Sequence, residues 1–127
     1  MLKRLDNVGI AVRDIRRAVS FYTEILGFVG QAGASDGLVT LGDVSLYLFQ
    51  TQAPEAAVPP RTTDLYNNPL GIDHVAFEVD DIEQAARRLE AAGVVFPGPA
   101  VGEPGAFRYR GFADPDGTML YIVQKPG

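Results

Sequence analysis

Leu5-Asp6-Asn7-Val8-Gly9-Ile10-Ala11-Val12-Arg13-Asp14-Ile15 returns later in the chain as Ile72-Asp73-His74-Val75-Ala76-Phe77-Glu78-Val79-Asp80-Asp81-Ile82. In both copies apolar side chains occupy every second position, which is the period of a strand with one buried face. An aspartate and then an apolar residue close each copy, as at the start of a helix. The stretch therefore reads as a strand running into a helix, written twice.

The residues beyond each copy agree with this. Ile15, Ala18, Val19, Tyr22, Ile25 and Leu26 recur at helical spacing in the first, and Ile82, Ala85, Ala86, Leu89 and Ala92 in the second. Asp14 and Asp81 are suited to cap the helix starts, Gln84 to complete a capping box with Asp81, and Gly27 and Gly93 to end the helices. The copies also finish alike, since Leu46-Tyr47-Leu48-Phe49-Gln50 matches Leu120-Tyr121-Ile122-Val123-Gln124. Gly42-Asp43 offers a two-residue hairpin turn, and Asp114-Pro115-Asp116-Gly117 has turn residues where a tight turn needs them. Residues 1–127 are expected to form a single domain, with module one over 1–52, a proline-bearing linker over 53–71 and module two over 72–127.

Strand alternation divides the side chains between two faces. Val8, Ile10, Val12, Leu46, Leu48, Val75, Phe77, Val79, Leu120 and Ile122 fall on one face, and all are apolar. Burying each contributes roughly 1.5–3 kcal/mol, so a slip of one residue would forfeit much of the core and the register is well determined. The other face carries Asn7, Gly9 and Ala11; His74, Ala76 and Glu78; Ser45, Tyr47 and Phe49; and Met119, Tyr121 and Val123. That set is mixed and partly small, as expected of a partly polar cavity. A half-exposed face or a dimer interface is the alternative.

Composition narrows the function classes. No apolar run approaches the roughly 20 residues of a membrane-spanning helix, and the formal charge of -5 disfavours nucleic acid as a partner. The basic start Met1-Leu2-Lys3-Arg4 is followed by an apolar stretch that Asp6, Asn7 and Arg13 interrupt, which does not suit a signal peptide, so the cytoplasm is the expected location. The absence of cysteine excludes disulfides, thiolate metal sites and cysteine nucleophiles.

The repeated segment, together with Phe21-Tyr22 to Leu26-Gly27-Phe28, Gly71-Ile72-Asp73-His74 and Phe112-Ala113-Asp114-Pro115-Asp116-Gly117, resembles the vicinal-oxygen-chelate superfamily over nearly the whole chain. That superfamily includes glyoxalase I, bleomycin-resistance proteins and extradiol dioxygenases. The resemblance implies an α+β fold in which two βαβββ modules form a cupped, mostly antiparallel mixed sheet with helices on the outer face. It also implies a small-molecule ligand and a homodimer. In metal-using members the first and last strands of each module supply the ligands, often His and usually Glu. The matching positions here are Asn7, Tyr47, His74 and Tyr121, of which only His74, the sole histidine, keeps a family ligand type. The inherited metal site therefore reads as lost, and no cofactor is expected. A divergent divalent site would need His74, Glu78 and oxygens from elsewhere.

Asn7, Tyr47, Phe49, His74, Glu78, Met119 and Tyr121 are accordingly the candidate ligand-binding residues, with His74 the candidate acid or base. The paired tyrosines offer ring faces and hydroxyl donors to a planar ligand. The expected function is the binding of a small apolar or aromatic molecule without a metal. Two alternatives stay open within the same family. One is a metal-independent isomerase or lyase using His74, and the other is a lyase or dioxygenase with unfamiliar metal ligands.

Overall fold

The computed structural model describes residues 1–127, which divide into two compact units, Met1–Ala57 and Val58–Gly127. In the first unit, strand β1 (Val8–Val12) leads to Asp14, whose carboxylate accepts hydrogen bonds from the backbone N–H groups of Arg16 and Arg17 at 3.0 and 3.2 Å. These donors would otherwise lack partners at a helix start. Helix α1 (Ile15–Ser20) follows and continues as a π-helical turn, Phe21–Ile25, before Gly27 ends it at φ +85°. Strands β2 (Val29–Gly30), β3 (Asp36–Leu41) and β4 (Val44–Gln50) complete a sheet of order β1-β4-β3-β2. The β1–β4 pair is parallel and the others antiparallel.

The second unit repeats this path with β5 (Val75–Glu78), α2 (Ile82–Ala91), β6 (Arg108–Ala113) and β7 (Met119–Gln124). Asp81 caps α2 by accepting from the N–H of Gln84 at 3.1 Å, and β5 runs parallel to β7 in the order β5-β7-β6. The α+β class and the mixed sheets agree with the sequence. The second module carries one strand fewer than the first, and only the isolated bridge Val101–Tyr109 stands where its fourth strand would lie. Pro97, Pro99 and Pro104 lie in this stretch, and each lacks the N–H that a ladder needs.

In each unit the core lies between helix and sheet. Ile15, Ala18 and Val19 of α1 are buried with Ile10, Val12, Val39, Leu46 and Leu48, and Ile82 and Ala86 of α2 with Phe112, Leu120 and Ile122. These strand residues occupy the face that alternation assigns to the core. The closing glutamines join strand to helix: Gln50 Oε1 accepts from the N–H of Ile15 at 3.0 Å, and Gln124 Oε1 from that of Ile82 at 2.8 Å. The repeated Gln is thus a second cap for the helix that follows the neighbouring strand.

Asp114 is buried and accepts from the N–H groups of Asp116 and Thr118, both at 2.9 Å, so the Asp-Pro-Asp-Gly turn is a structural element, with Gly117 at φ +87°. Arg108 pairs with Glu83, and Arg110 lies over the Phe96 ring while donating to Gly98 O. No helix is long and apolar enough to cross a membrane.

Candidate functional site

The sheet face opposite the second core carries the most developed group of polar side chains. His74 directly precedes β5, and its ring centroid lies 4.4 Å from that of Tyr121 on β7. Nδ1 of His74 is 2.6 Å from Oδ2 of Asp73. The other carboxylate oxygen of Asp73 accepts from Asn68 Nδ2 at 2.7 Å and lies 3.9 Å from Arg61 Nε. The hydrogen bond to His74, reinforced by that from Asn68 and by the nearby cations, holds the Asp73 carboxyl below its ordinary value despite partial burial. An ionised Asp73 can only accept, so Nδ1 of His74 carries the proton in this contact, and no hydrogen bond joins Nε2 to another residue of the chain.

Tyr121 is buried between neighbours, with Tyr109 edge-on at 5.9 Å and its hydroxyl 3.5 Å from Thr63 O. Burial first, then the negative charge of Asp73 and the neighbouring Tyr109, push its phenol above the ordinary value, so it stays a protonated donor. Beside this group opens a cavity of about 700 Å³, lined by Arg61, Thr63, Asp73, Thr118 and Met119 among others. Met119 thus reaches it, whereas His74 and Tyr121 stand outside its lining.

In the first unit Tyr47 donates its hydroxyl to Asp36 at 2.6 Å and stacks on Phe49, with ring centroids 5.7 Å apart and 26° between planes. The hydrogen bond to Asp36 chiefly raises the Tyr47 phenol above its ordinary value. Both rings are exposed, as a ligand-stacking shelf requires. Two candidates stand apart from these groups. Asn7 is exposed and donates to Asp6, and Glu78 is exposed beside Lys125 at 3.7 Å.

A model of the Glyoxalase/Bleomycin resistance protein/Dioxygenase superfamily matches residues 4–122. The chain belongs to that superfamily. It is 34% identical over 125 residues to glutathione transferase FosA of Serratia marcescens, covering 96% of this chain and 81% of that protein. It is 33% identical over 114 residues to the ethylmalonyl-CoA/methylmalonyl-CoA epimerase of Cereibacter sphaeroides, covering 82% of this chain and 80% of that one. Among solved structures, a glyoxalase family protein from Enterococcus faecalis matches with a TM-score of 0.74 at 26% identity, over 95% of this chain and 97% of that one.

The donors of this superfamily member do not fit the metal that many vicinal-oxygen-chelate proteins use. Of the four matching positions, Asn7 is bonded to Asp6, Tyr47 to Asp36 and His74 to Asp73, and the Tyr121 phenol is held protonated. Nowhere do three or more His, Asp or Glu side chains converge, whereas tight divalent sites commonly take three protein ligands or more.

No partner for His74 is legible from strand alternation, and the structure supplies one in Asp73. Asp73 stands just before β5, where strict strand alternation no longer applies, so its parity does not exile it to the core face. Adjacency to the only histidine was the available signal. Arg61 and Asn68 lie in a stretch with no period to read.

Proposed function

We propose that this chain binds a small organic molecule at the second sheet's polar face, with His74 as the anchoring group and without a divalent metal. The contact between Asp73 and His74 carries this reading. It fixes an imidazole whose second ring nitrogen has no hydrogen bond within the chain, next to an aromatic ring, and the Asp73 that holds it lines a cavity of small-ligand size. Met119 lines that cavity, Tyr121 packs beside the imidazole with its hydroxyl towards Thr63 O, and Tyr47 with Phe49 offers a second, stacking surface. Asn7 and Glu78 have peripheral roles. We take the working unit to be a cytoplasmic homodimer, and the exposed Val29 and Leu38 of the first unit support the dimer.

The same contact favours a second reading, a metal-independent isomerase or lyase. A carboxylate-held imidazole is suited to take a proton, and a protonated phenol beside it to donate to a developing oxyanion. The relatives' names, a transferase and an epimerase, lend weight to catalysis but do not choose the reaction.

The test is a screen of small aromatic and carbonyl compounds by ligand-observed NMR on metal-free protein, repeated with His74→Ala. Loss of a hydrogen bond to the imidazole should weaken binding of a hit about 2- to 12-fold, from roughly 0.5–1.5 kcal/mol. Unchanged affinity in His74→Ala would sink the anchoring role. Hydrogen–deuterium exchange at carbon in a bound hit, abolished by His74→Ala, would establish the enzymatic reading.

A further inference from the structure

Residues 61–73 fold back on themselves and close across their neck. Asn68 Oδ1 accepts from the backbone N–H of Thr62 at 2.9 Å, while Asn68 Nδ2 donates to Thr62 O at 2.9 Å. Arg61 Nη2 donates to Leu70 O at 2.9 Å and reaches Pro69 O at 3.4 Å. Gly71 permits this approach, because a side chain there would place its Cβ 3.0 Å from Nη2, in a backbone at φ +123° that side chains disfavour. A loop that satisfies its own polar groups in this way is compact, unlike an extended linker.

Its two clamps meet at one carboxylate. The second N–H of Asn68 Nδ2 points to Asp73 Oδ1, so this amide nitrogen has spent both donors. Arg61 Nε is buried without a hydrogen-bond partner and faces the same oxygen at 3.9 Å. Oδ1 is thereby occupied by the loop, and Oδ2 is left to His74.

We infer that Asn68 and Arg61 are positioning residues that act on His74 through Asp73, selecting the neutral tautomer with its proton on Nδ1 and presenting the Nε2 lone pair. The inference rests on the reading of His74 as the working group, and it names what makes that group competent. Neither residue touches the imidazole. Each sets which oxygen of Asp73 is available and the direction it faces, as outer partners do for a functional histidine.

The chain has one histidine, so its ring nitrogens give a single set of signals. Long-range 1H–15N correlation on the full, uniformly 15N-labelled chain, recorded about two pH units above the ordinary imidazole value of about 6.5, reads the neutral tautomer directly. The wild type should show a protonated Nδ1 and an unprotonated Nε2. Asn68→Ala should turn the Nδ1–H form into a minority, and Arg61→Gln should shift the population the same way by less. Circular dichroism separates these effects from unfolding, and the wild-type spectrum alone can overturn the inference even where a variant fails to fold. A wild-type ring protonated on Nε2, or a folded Asn68→Ala with an unaltered tautomer, would overturn the inference. Should the tautomer behave as expected while His74→Ala leaves ligand binding intact, the positioning stands and the functional reading falls.

Discussion

Tyr47 and Tyr121 occupy the same register in two copies of one module. Tyr47 is paired with Gly9 and Leu38, and Tyr121 with Ala76 and Gly111. Their fates differ: Tyr47 is 36% exposed and bonded to Asp36, while Tyr121 is 2% exposed, lies against His74 and reaches towards Thr63 O. The exchange of Leu38 for Gly111 accounts for much of this. An added Cβ at Gly111 would sit 2.8 Å from Thr63 Cγ2 and 2.9 Å from the Tyr121 ring, so only glycine lets Thr63 close over that ring. Duplication therefore fixes the frame, and what is laid on the free face decides whether a position becomes an open shelf or a covered polar site.

Truncating the two tyrosines is the strongest way to break the comparison. Tyr121→Ala should destabilise the chain by about 3–5 kcal/mol, as removal of a buried aromatic does, whereas Tyr47→Ala should cost less than about 1 kcal/mol. Urea unfolding midpoints read both, and equal losses would mean that the two faces are covered alike.

Gly111→Leu sharpens the comparison by giving the second module the residue of the first. The overpacking should cost about 1–3 kcal/mol and release Thr63, visible as faster amide exchange over residues 58–64. Gly9→Ala, whose Cβ would meet only Phe49 at an ordinary 3.6 Å, should stay within about 0.5 kcal/mol of wild type.

The smallest effect is in the pH profile. Asp73 titrates below its ordinary value when folded, so its stabilising contribution is fully present above about pH 4 and is lost as pH falls through the folded value. Asp73→Asn should flatten that acid limb. The alkaline limb belongs to both units. Tyr47 and Tyr121 are raised, so their contribution is complete below about pH 10 and disappears as pH rises through the folded values. An acid limb unchanged by Asp73→Asn would remove Asp73 from the account.

The frame was legible because burial has a period. Ile10, Val12, Leu46, Leu48, Leu120 and Ile122 alternate as a one-sided sheet must, and all are buried. The caps at Asp14 and Asp81 were equally legible, since short acidic side chains before an apolar run have a local cause. The strand count of the second module was not legible from the repeat, where Pro97, Pro99 and Pro104, each without a ladder N–H, outweigh its symmetry. The surroundings of His74 were not legible. Asn68 and Arg61 reach Asp73 through the closure of an aperiodic loop, and their meeting depends on three-dimensional contacts that no spacing encodes. The contrast between the tyrosines was hidden for the same reason, as Thr63 covers only one of them.

The central claim is that this superfamily member works through a carboxylate-held histidine and no metal. Elemental mass spectrometry tests it most directly, on untagged protein expressed with iron, manganese, nickel and zinc available and purified without chelators. The account expects far less than one metal ion per folded chain, unchanged in His74→Ala. Stoichiometric metal that His74→Ala removes would contradict it and restore a metal-dependent reading of the site.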